Sequence, residues 1–227
     1  MAKKKSETIS KTPVKVNFPS ISQPIESPLS SITLLDSQIL ILPAFLSPET
    51  CKSYVSCFSK LPLLPCPPPS RNEAKRTNFR LATEDPKFAF QLFTESGLEE
   101  FTSTWTVQLG KKILQVKGLH SNIRIYRYDE GAFFGPHYDS STRDGVSGFT
   151  SYWTLLVYLT GKEDGVEGGE TVFYQSGRNQ DTKEIVVTID RGMALLHRHG
   201  GSDCLLHEGR PVTKGTKWVL RSDLVFG

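Results

Sequence analysis

The chain is short of the features that settle a functional class at once. It has no unbroken apolar run of the roughly 18 residues a membrane-spanning helix needs. The nearest, "ILILPAFL" from Ile39 to Leu46, is interrupted by Pro43. The basic opening "MAKKKSETISK" is followed by no apolar segment, which speaks against a secretory signal. Cysteine is sparse: Cys51, Cys57, Cys66 and Cys204 show no CxxC spacing, so we expect reduced thiols with buried structural roles in the cytosol or nucleus. Charge of neither sign is in large excess. A net +3 gives no general case for nucleic-acid binding. No internal repeat is present. What remains is an ordinary globular composition, 37% hydrophobic and 22% charged, in 227 residues. That length suits one domain with extensions, or two small ones.

The first 30 or so residues are rich in Ser, Thr, Pro and Lys without periodicity and read as a disordered basic tail. Lys3, Lys4, Lys5, Lys11 and Lys15 lie there, either a solvated stretch or a weak nuclear address. Residues 31–227 read as a single domain. A short strand is expected at Ile39–Leu42, then a helix with Ser47 as N-cap, Pro48 in the first helical position and Glu49 in the first turn. "LPLLPCPPPSRN" makes a stiff connector through Ser70, and further helices begin at Asp85-Pro86 and break near Gly97. From about Ile113 the pattern changes to short β-branched and aromatic runs bounded by Gly, Asp or Asn, among them "SNIRIYRY", "SYWTLLVYLT" and "GTKWVLRSDLVF". Strands at this spacing predict a mainly β sandwich or barrel over 113–227, with the flank 31–112 supplying helices packed on its outside.

The chemistry starts in "FFGPHYDSS". In a strand, residues two apart share a face, so His137 and Asp139 can converge while Tyr138 turns away. Two ligands do not make a metal site, and a third must come from elsewhere. The remaining histidines are His120, His197, His199 and His207. His207 ends a strand, and Lys217 follows on the next one. His197 and His199, also two apart, form a rival ligand pair.

Four blocks occur in order: Tyr128-x-x-Gly131, His137-x-Asp139, "EGGETVFY" at 167–174, and His207-Glu208-Gly209 followed by "KGTKW". In these blocks residues 120–226 resemble the prolyl 4-hydroxylase-like group of iron(II)- and 2-oxoglutarate-dependent dioxygenases. Fainter echoes lie in "ILILPAFLSPETC" and "RTNFRL". HxD alone is weak; the four blocks together are specific. The resemblance implies a double-stranded β-helix of the jelly-roll kind, with His137, Asp139 and His207 as ligands of Fe(2+). Two imidazoles and a carboxylate on one face suit a redox metal that keeps positions open. Lys217 would hold the far carboxylate of 2-oxoglutarate, Tyr128 would contact the cosubstrate, and Thr154 or Tyr158 would add a hydroxyl near the same carboxylate. Arg221 shares the face of Lys217 and competes for that role.

O2 is the second cosubstrate that the resemblance implies, with ascorbate as an auxiliary reductant. Glu170 reads as a loop residue, and Phe133 and Phe134 as packing at the barrel mouth. Substrate contacts are expected from residues 139–151 and from the stretch around Arg76, Asn78 and Arg80, both polar and lid-like. The resemblance favours hydroxylation of a C–H bond in a protein such as a prolyl residue. Oxidative demethylation of protein or nucleic acid is the alternative reaction, and a non-catalytic metal-binding interaction module the alternative class. Nothing points to a membrane partner.

Overall fold

A computed structural model of the chain describes residues 14–21, 28–71, 73–176, 182–201 and 204–227. It holds β1 (Ile32–Leu35), β2 (Ile39–Leu42), α1 (Pro48–Phe58), β3 (Leu64–Pro65), β4 (Phe79–Glu84), α2 (Pro86–Glu95), α3 (Leu98–Thr102), β5 (Thr106–Leu109) and β6 (Lys112–Leu119). There follow β7 (Asn122–Tyr128), β8 (Phe134–His137), β9 (Thr150–Tyr158), β10 (Glu167–Gly168), β11 (Thr171–Ser176), β12 (Thr182–Val187), β13 (Ala194–Arg198), β14 (Leu206–Gly209), β15 (Val212–Lys214) and β16 (Lys217–Phe226). Two antiparallel sheets face each other. The larger runs β1-β2-β13-β9-β16-β7-β4-β3, with β6 also on β16 and β5 on β6, and the smaller runs β12-β11-β14-β8. This is the double-sheeted jelly roll expected from the spacing of the strands.

Helix starts follow the local chemistry. Ser47 Oγ accepts from the Thr50 backbone N–H at 3.1 Å, and Asp85 Oδ1 accepts from that of Phe88 at 2.9 Å. A proline follows each cap, where its missing donor costs nothing. Gly97, at φ 80°, lets the chain reverse between α2 and α3. The helices cover the outer face of the larger sheet. Tyr54, Phe58, Phe88 and Leu92 bury there against Ile123, Ile125, Leu155 and Leu220. Each such side chain contributes roughly 1.5–3 kcal/mol of transfer free energy.

Strand β16 is buried along its whole length and divides the two environments. Trp218, Leu220 and Leu224 join the helix-side core, while Val219 joins the core between the sheets. By alternation Lys217, Arg221 and Asp223 also face inward. Register fixes their neighbours: Lys217 lies opposite Tyr128, Arg221 opposite Arg124 and Leu156, and Asp223 opposite Thr154.

Two expectations change. The stretch 31–112 is not only a helical flank, because β2 pairs with β13 and β4 with β7, so it builds both ends of the larger sheet. Residues 14–21, assigned by composition to the tail, are packed: Val16 is buried and Phe18 stacks on Phe88 at 3.6 Å between ring centroids. The Thr83 hydroxyl donates to the Val14 carbonyl at 3.0 Å. Apolar residues were present in that segment, but without a period to mark them. Residues 1–13 and 22–27 of the expected tail lie outside the described residues.

Candidate metal and anion site

The site lies between the sheets. On the smaller sheet His137 (β8) pairs directly with His207 (β14), and His207 with Phe173 (β11), so one row carries both imidazoles and an aromatic wall. The ring nitrogens are sorted by the backbone. His137 Nδ1–H donates to the Gly135 carbonyl and His207 Nδ1–H to that of Leu205, each at 2.9 Å. This tautomer leaves Nε2 of both rings with a free lone pair, which is how a metal-binding histidine is held. Those nitrogens approach Asp139: His137 Nε2 lies 3.8 Å from Oδ1 and His207 Nε2 3.8 Å from Oδ2. Ligand atoms of His137, Asp139 and His207 all fall within 4.8 Å of one another.

Protonation suits a cation as well. Burial, helped by the His207 ring, lowers the His137 pKa to about 4. Burial also lowers His207. Burial alone would raise the Asp139 carboxyl, but Arg221 and the surrounding imidazoles hold it well below the usual carboxylate range. Two neutral imidazoles and one carboxylate are the donor set that a divalent metal requires without further proton release.

His197 enters the same space. It comes from β13 on the facing sheet, is 1% exposed, and its Nε2 has no hydrogen-bond partner although it lies 3.6 Å from Asp139 Oδ2. The rival pair with His199 does not form. His199 instead bonds Thr154 Oγ1 at 2.8 Å and Ser151 Oγ at 3.0 Å, behind the cluster. His120 is remote from the site, against Asp144 at 3.3 Å.

The second half of the cavity is built for an anion. Lys217 is 4% exposed, donates to the Gly169 carbonyl at 2.5 Å, and sits 5.3 Å from the ring centroids of both Tyr128 and Tyr158. Among the described residues no carboxylate lies within ion-pair distance of it. Burial lowers its pKa to about 8, against a smaller opposing pull from Glu170. The loop before β11 presents that carbonyl at Gly169, whose φ of +72° leaves room for the lysine stem; a Cβ there would lie 3.2 Å from Lys217 Cδ. Tyr158 Oη pairs with Thr171 Oγ1 at 2.7 Å, and both residues line the cavity with Lys217, His137, Asp139 and His207. Burial pushes the Tyr128 and Tyr158 phenols far above their ordinary range, so both stay neutral.

Several sequence-based assignments shift. Thr154 is not near Lys217: its hydroxyl donates to Asp139 Oδ2 at 2.8 Å, at the other end of the cavity. Arg221 belongs to that end too, with Nη1 at 3.1 Å from Asp139 Oδ1 and Nη2 at 3.0 Å from Oδ2, a two-pronged grip. It also pairs with Asp223 at 3.3 Å, which in turn holds Arg124 at 3.1 Å. Tyr128 and Tyr158 both lie beside Lys217 in the cavity. Glu170 takes part in its loop through its carbonyl, which accepts from Arg210 N at 2.8 Å. Phe134 stacks on His137 at 3.7 Å.

At the mouth, Asn78 is buried and bonded to Phe79 and Cys66, so it is structural, whereas Arg76 and Arg80 do line the opening. Loop 139–151 is not a loose lid, because Asp144 accepts from Ser121 N at 3.2 Å and Ser147 N at 2.9 Å. Thr171 and Asp223 were missed as site residues. Nothing in "GGETVFY" marks the threonine until Tyr158 is known to face it.

A jelly roll that holds two histidines, an aspartate and, among the described residues, a buried lysine with no carboxylate partner around one cavity has the donor set of a mononuclear metal site with room beside it for an anion. Residues 123–222 match the 2OG-Fe(II) oxygenase superfamily. Over this stretch the chain is similar to 2OG-Fe(II) oxygenase domains, and relatives that resemble it include prolyl hydroxylases. The rat (Rattus norvegicus) prolyl 4-hydroxylase subunit alpha-3 is 27% identical over 146 residues, covering 57% of this chain. The chain spans 25% of the length of that relative. Among solved structures, the collagen prolyl hydroxylase of Paramecium Bursaria Chlorella virus-1, in complex with 2OG, superposes with a TM-score of 0.55 at 17% identity, over 84% of this chain and 97% of that one. The prolyl hydroxylase of Trichoplax adhaerens, in complex with a hypoxia inducible factor peptide fragment, gives 0.59 at 16% identity, over 84% of each chain. At such identities the structural likeness speaks for the fold.

Proposed function

We propose that the protein is an Fe(II)- and 2-oxoglutarate-dependent dioxygenase that hydroxylates a C–H bond of a protein substrate, in the manner of a prolyl hydroxylase. The observation that carries this reading is the pairing, in one cavity, of a metal-type donor trio with a buried lysine that has no carboxylate partner among the described residues. A buried cation without an anion is costly, and a dicarboxylate would supply what is missing.

On this reading His137, Asp139 and His207 hold the iron. Their Nδ1 bonds to Gly135 and Leu205 fix the ring orientations, and Thr154 and Arg221 orient the carboxylate. Lys217 binds the far carboxylate of 2-oxoglutarate, with the Tyr158–Thr171 hydroxyl pair beside it. Tyr128 closes the wall over the lysine and excludes water. When bound, iron with 2-oxoglutarate and O2 supplies the oxidising power: 2-oxoglutarate is cleaved to succinate and CO2, and one oxygen atom enters the substrate C–H bond. The chain's part is to bind, orient and shield. Ascorbate would serve as an external reductant and needs no site here. Four unpaired cysteines support a reducing compartment, the cytoplasm or nucleus.

Purified protein should form succinate from 2-oxoglutarate only with Fe(II) and O2, and His137→Ala should abolish this. A chain that binds neither Fe(II) nor 2-oxoglutarate would leave the interaction module as the better account.

A further inference from the structure

Outside the metal-type trio a groove of about 820 Å3 opens, lined by arginine from three separate parts of the chain. Arg76, Arg80, Arg124 and Arg221 all face it. Arg124 and Arg221 are already committed to Asp223 and Asp139. Arg76 and Arg80 are not: among the described residues neither has an ion-pair partner. Arg76 lies over the Phe134 ring at 5.1 Å, next to the imidazole on which that ring stacks. Arg80 sits opposite Tyr126 on the same face of β4 and β7. The carboxylates on the wall are Asp139, held by Arg221 and the imidazoles, and Glu73, which accepts from the Ser70 backbone N–H at 3.0 Å and is attracted more weakly by Arg76 and Arg80 without reaching ion-pair distance of either. Two guanidinium groups on the wall of one groove create a field that draws an anion into it.

The groove also has an edge suited to an extended chain. β8 is the last strand of the smaller sheet. Residues 75–77 cover its outer side at Phe133 and Gly135, through Thr77 N–H to the Phe133 carbonyl at 3.1 Å and Gly135 N–H to the Lys75 carbonyl at 2.8 Å. Beyond that cover, Ala74 and Glu73 line the groove with Pro136 and His137. A peptide lying in the groove would pass His137 and Asp139 with its side chains beside Arg76 and Arg80.

We propose that the substrate is an acidic peptide, with an Asp or Glu side chain near the oxidised residue bound by Arg76 and Arg80. This rests on the oxygenase reading and adds the substrate's charge to it. Nucleic acid fits less well, because binding along a phosphate backbone takes an extended track of cations, whereas the guanidinium groups that line this groove without an ion-pair partner among the described residues are Arg76 and Arg80. The chain's net +3 supplies no broader field.

The test uses the full chain loaded with Mn(II) and 2-oxoglutarate, which permits binding without turnover. Loading is first verified by calorimetry. Labelled peptide libraries with every residue type at the centre, flanked by Asp/Glu, Gln or Lys, are then titrated, alongside phosphoserine-flanked peptides and a single-stranded RNA. The acidic library should bind about tenfold more tightly than the neutral one for each charge-assisted contact, and the basic library more weakly than either. The double variant Arg76→Glu/Arg80→Glu should reverse that order. Equal binding of all libraries, preference for the basic one, tighter binding of phosphoserine peptides or of RNA, or no peptide binding by the loaded protein would each overturn the proposal. Failure of the chain to bind metal or 2-oxoglutarate at all would instead overturn the oxygenase reading beneath it.

Discussion

Lys217 and Arg221 stand on the same face of one strand, both buried, and they meet opposite surroundings. Arg221 forks onto Asp139 and touches Asp223, with Thr154 and Arg124 completing a closed network. Burial works against its charge, but the two carboxylates more than compensate and raise its pKa beyond the ordinary arginine value. Lys217 has a carbonyl and two aromatic faces, and burial brings its pKa down to about 8. The strand therefore carries one settled cation and one unsettled cation. The settled one sets the shape of the metal end, and the unsettled one marks where an anion from outside completes the site.

Removing each cation should thus have opposite effects on the empty protein. Arg221→Met leaves Asp139 without its cation in the interior, while Asp223 keeps Arg124, and should cost about 3–5 kcal/mol of stability. For a domain of this size that lowers the melting temperature by roughly 10 °C. Lys217→Met removes an uncompensated charge and keeps the volume, so the empty protein should gain about 1–2 kcal/mol. The same change should weaken 2-oxoglutarate binding by about 30-fold or more, the loss of a charge-assisted contact. Thermal unfolding of both variants, with calorimetric titration of 2-oxoglutarate, checks this. Equal destabilisation by both would erase the contrast.

The sequence made the trio legible because its parts carry their own spacing: two ligands two apart on a strand, and a histidine that ends another. It located Lys217 through the resemblance. The resemblance ranks Lys217 ahead of Arg221, but the sequence could not place Thr154, since that depends on register between β9 and β16, set across more than fifty intervening residues. Strand β2 is legible at Ile39–Leu42, but β4 is not, because its partner β7 lies far along the chain and no local period betrays it. His197 illustrates the limit from the other side. Spacing offers it as half of a rival pair with His199, but β13 ends at Arg198, and only His197 reaches Asp139 while His199 bonds Thr154 and Ser151.

The contrast also has a pH signature. An unfolded Lys217 keeps its proton up to about 10.4, and the folded one releases it near 8. Between those values the unfolded chain holds the extra proton, so the stability of the empty protein should rise with pH across that window. Binding of a dianion needs the charged lysine and so runs the other way. Affinity for 2-oxoglutarate should fall by about tenfold per pH unit above 8, and binding there should take up a proton from buffer. Lys217→Met should flatten that dependence. A wild-type profile that is flat up to pH 10 would show that the lysine is not the anion's partner.

The mildest test compares hydroxyls at the two ends. Thr154→Val removes the donor to Asp139 and leaves the His199 ring without one of its partners. Loss of such an orienting contact typically lowers metal affinity by about 10-fold or more, and 2-oxoglutarate binding should follow only through the metal. Tyr158→Phe removes the partner of Thr171 beside Lys217, worth about 1 kcal/mol, or roughly fivefold in cosubstrate affinity. Mn(II) affinity measured without 2-oxoglutarate should be unchanged in Tyr158→Phe and reduced in Thr154→Val. If the two variants shift both affinities alike, the ends of the cavity act as one unit, and the division drawn between the two cations fails at the level of single hydrogen bonds.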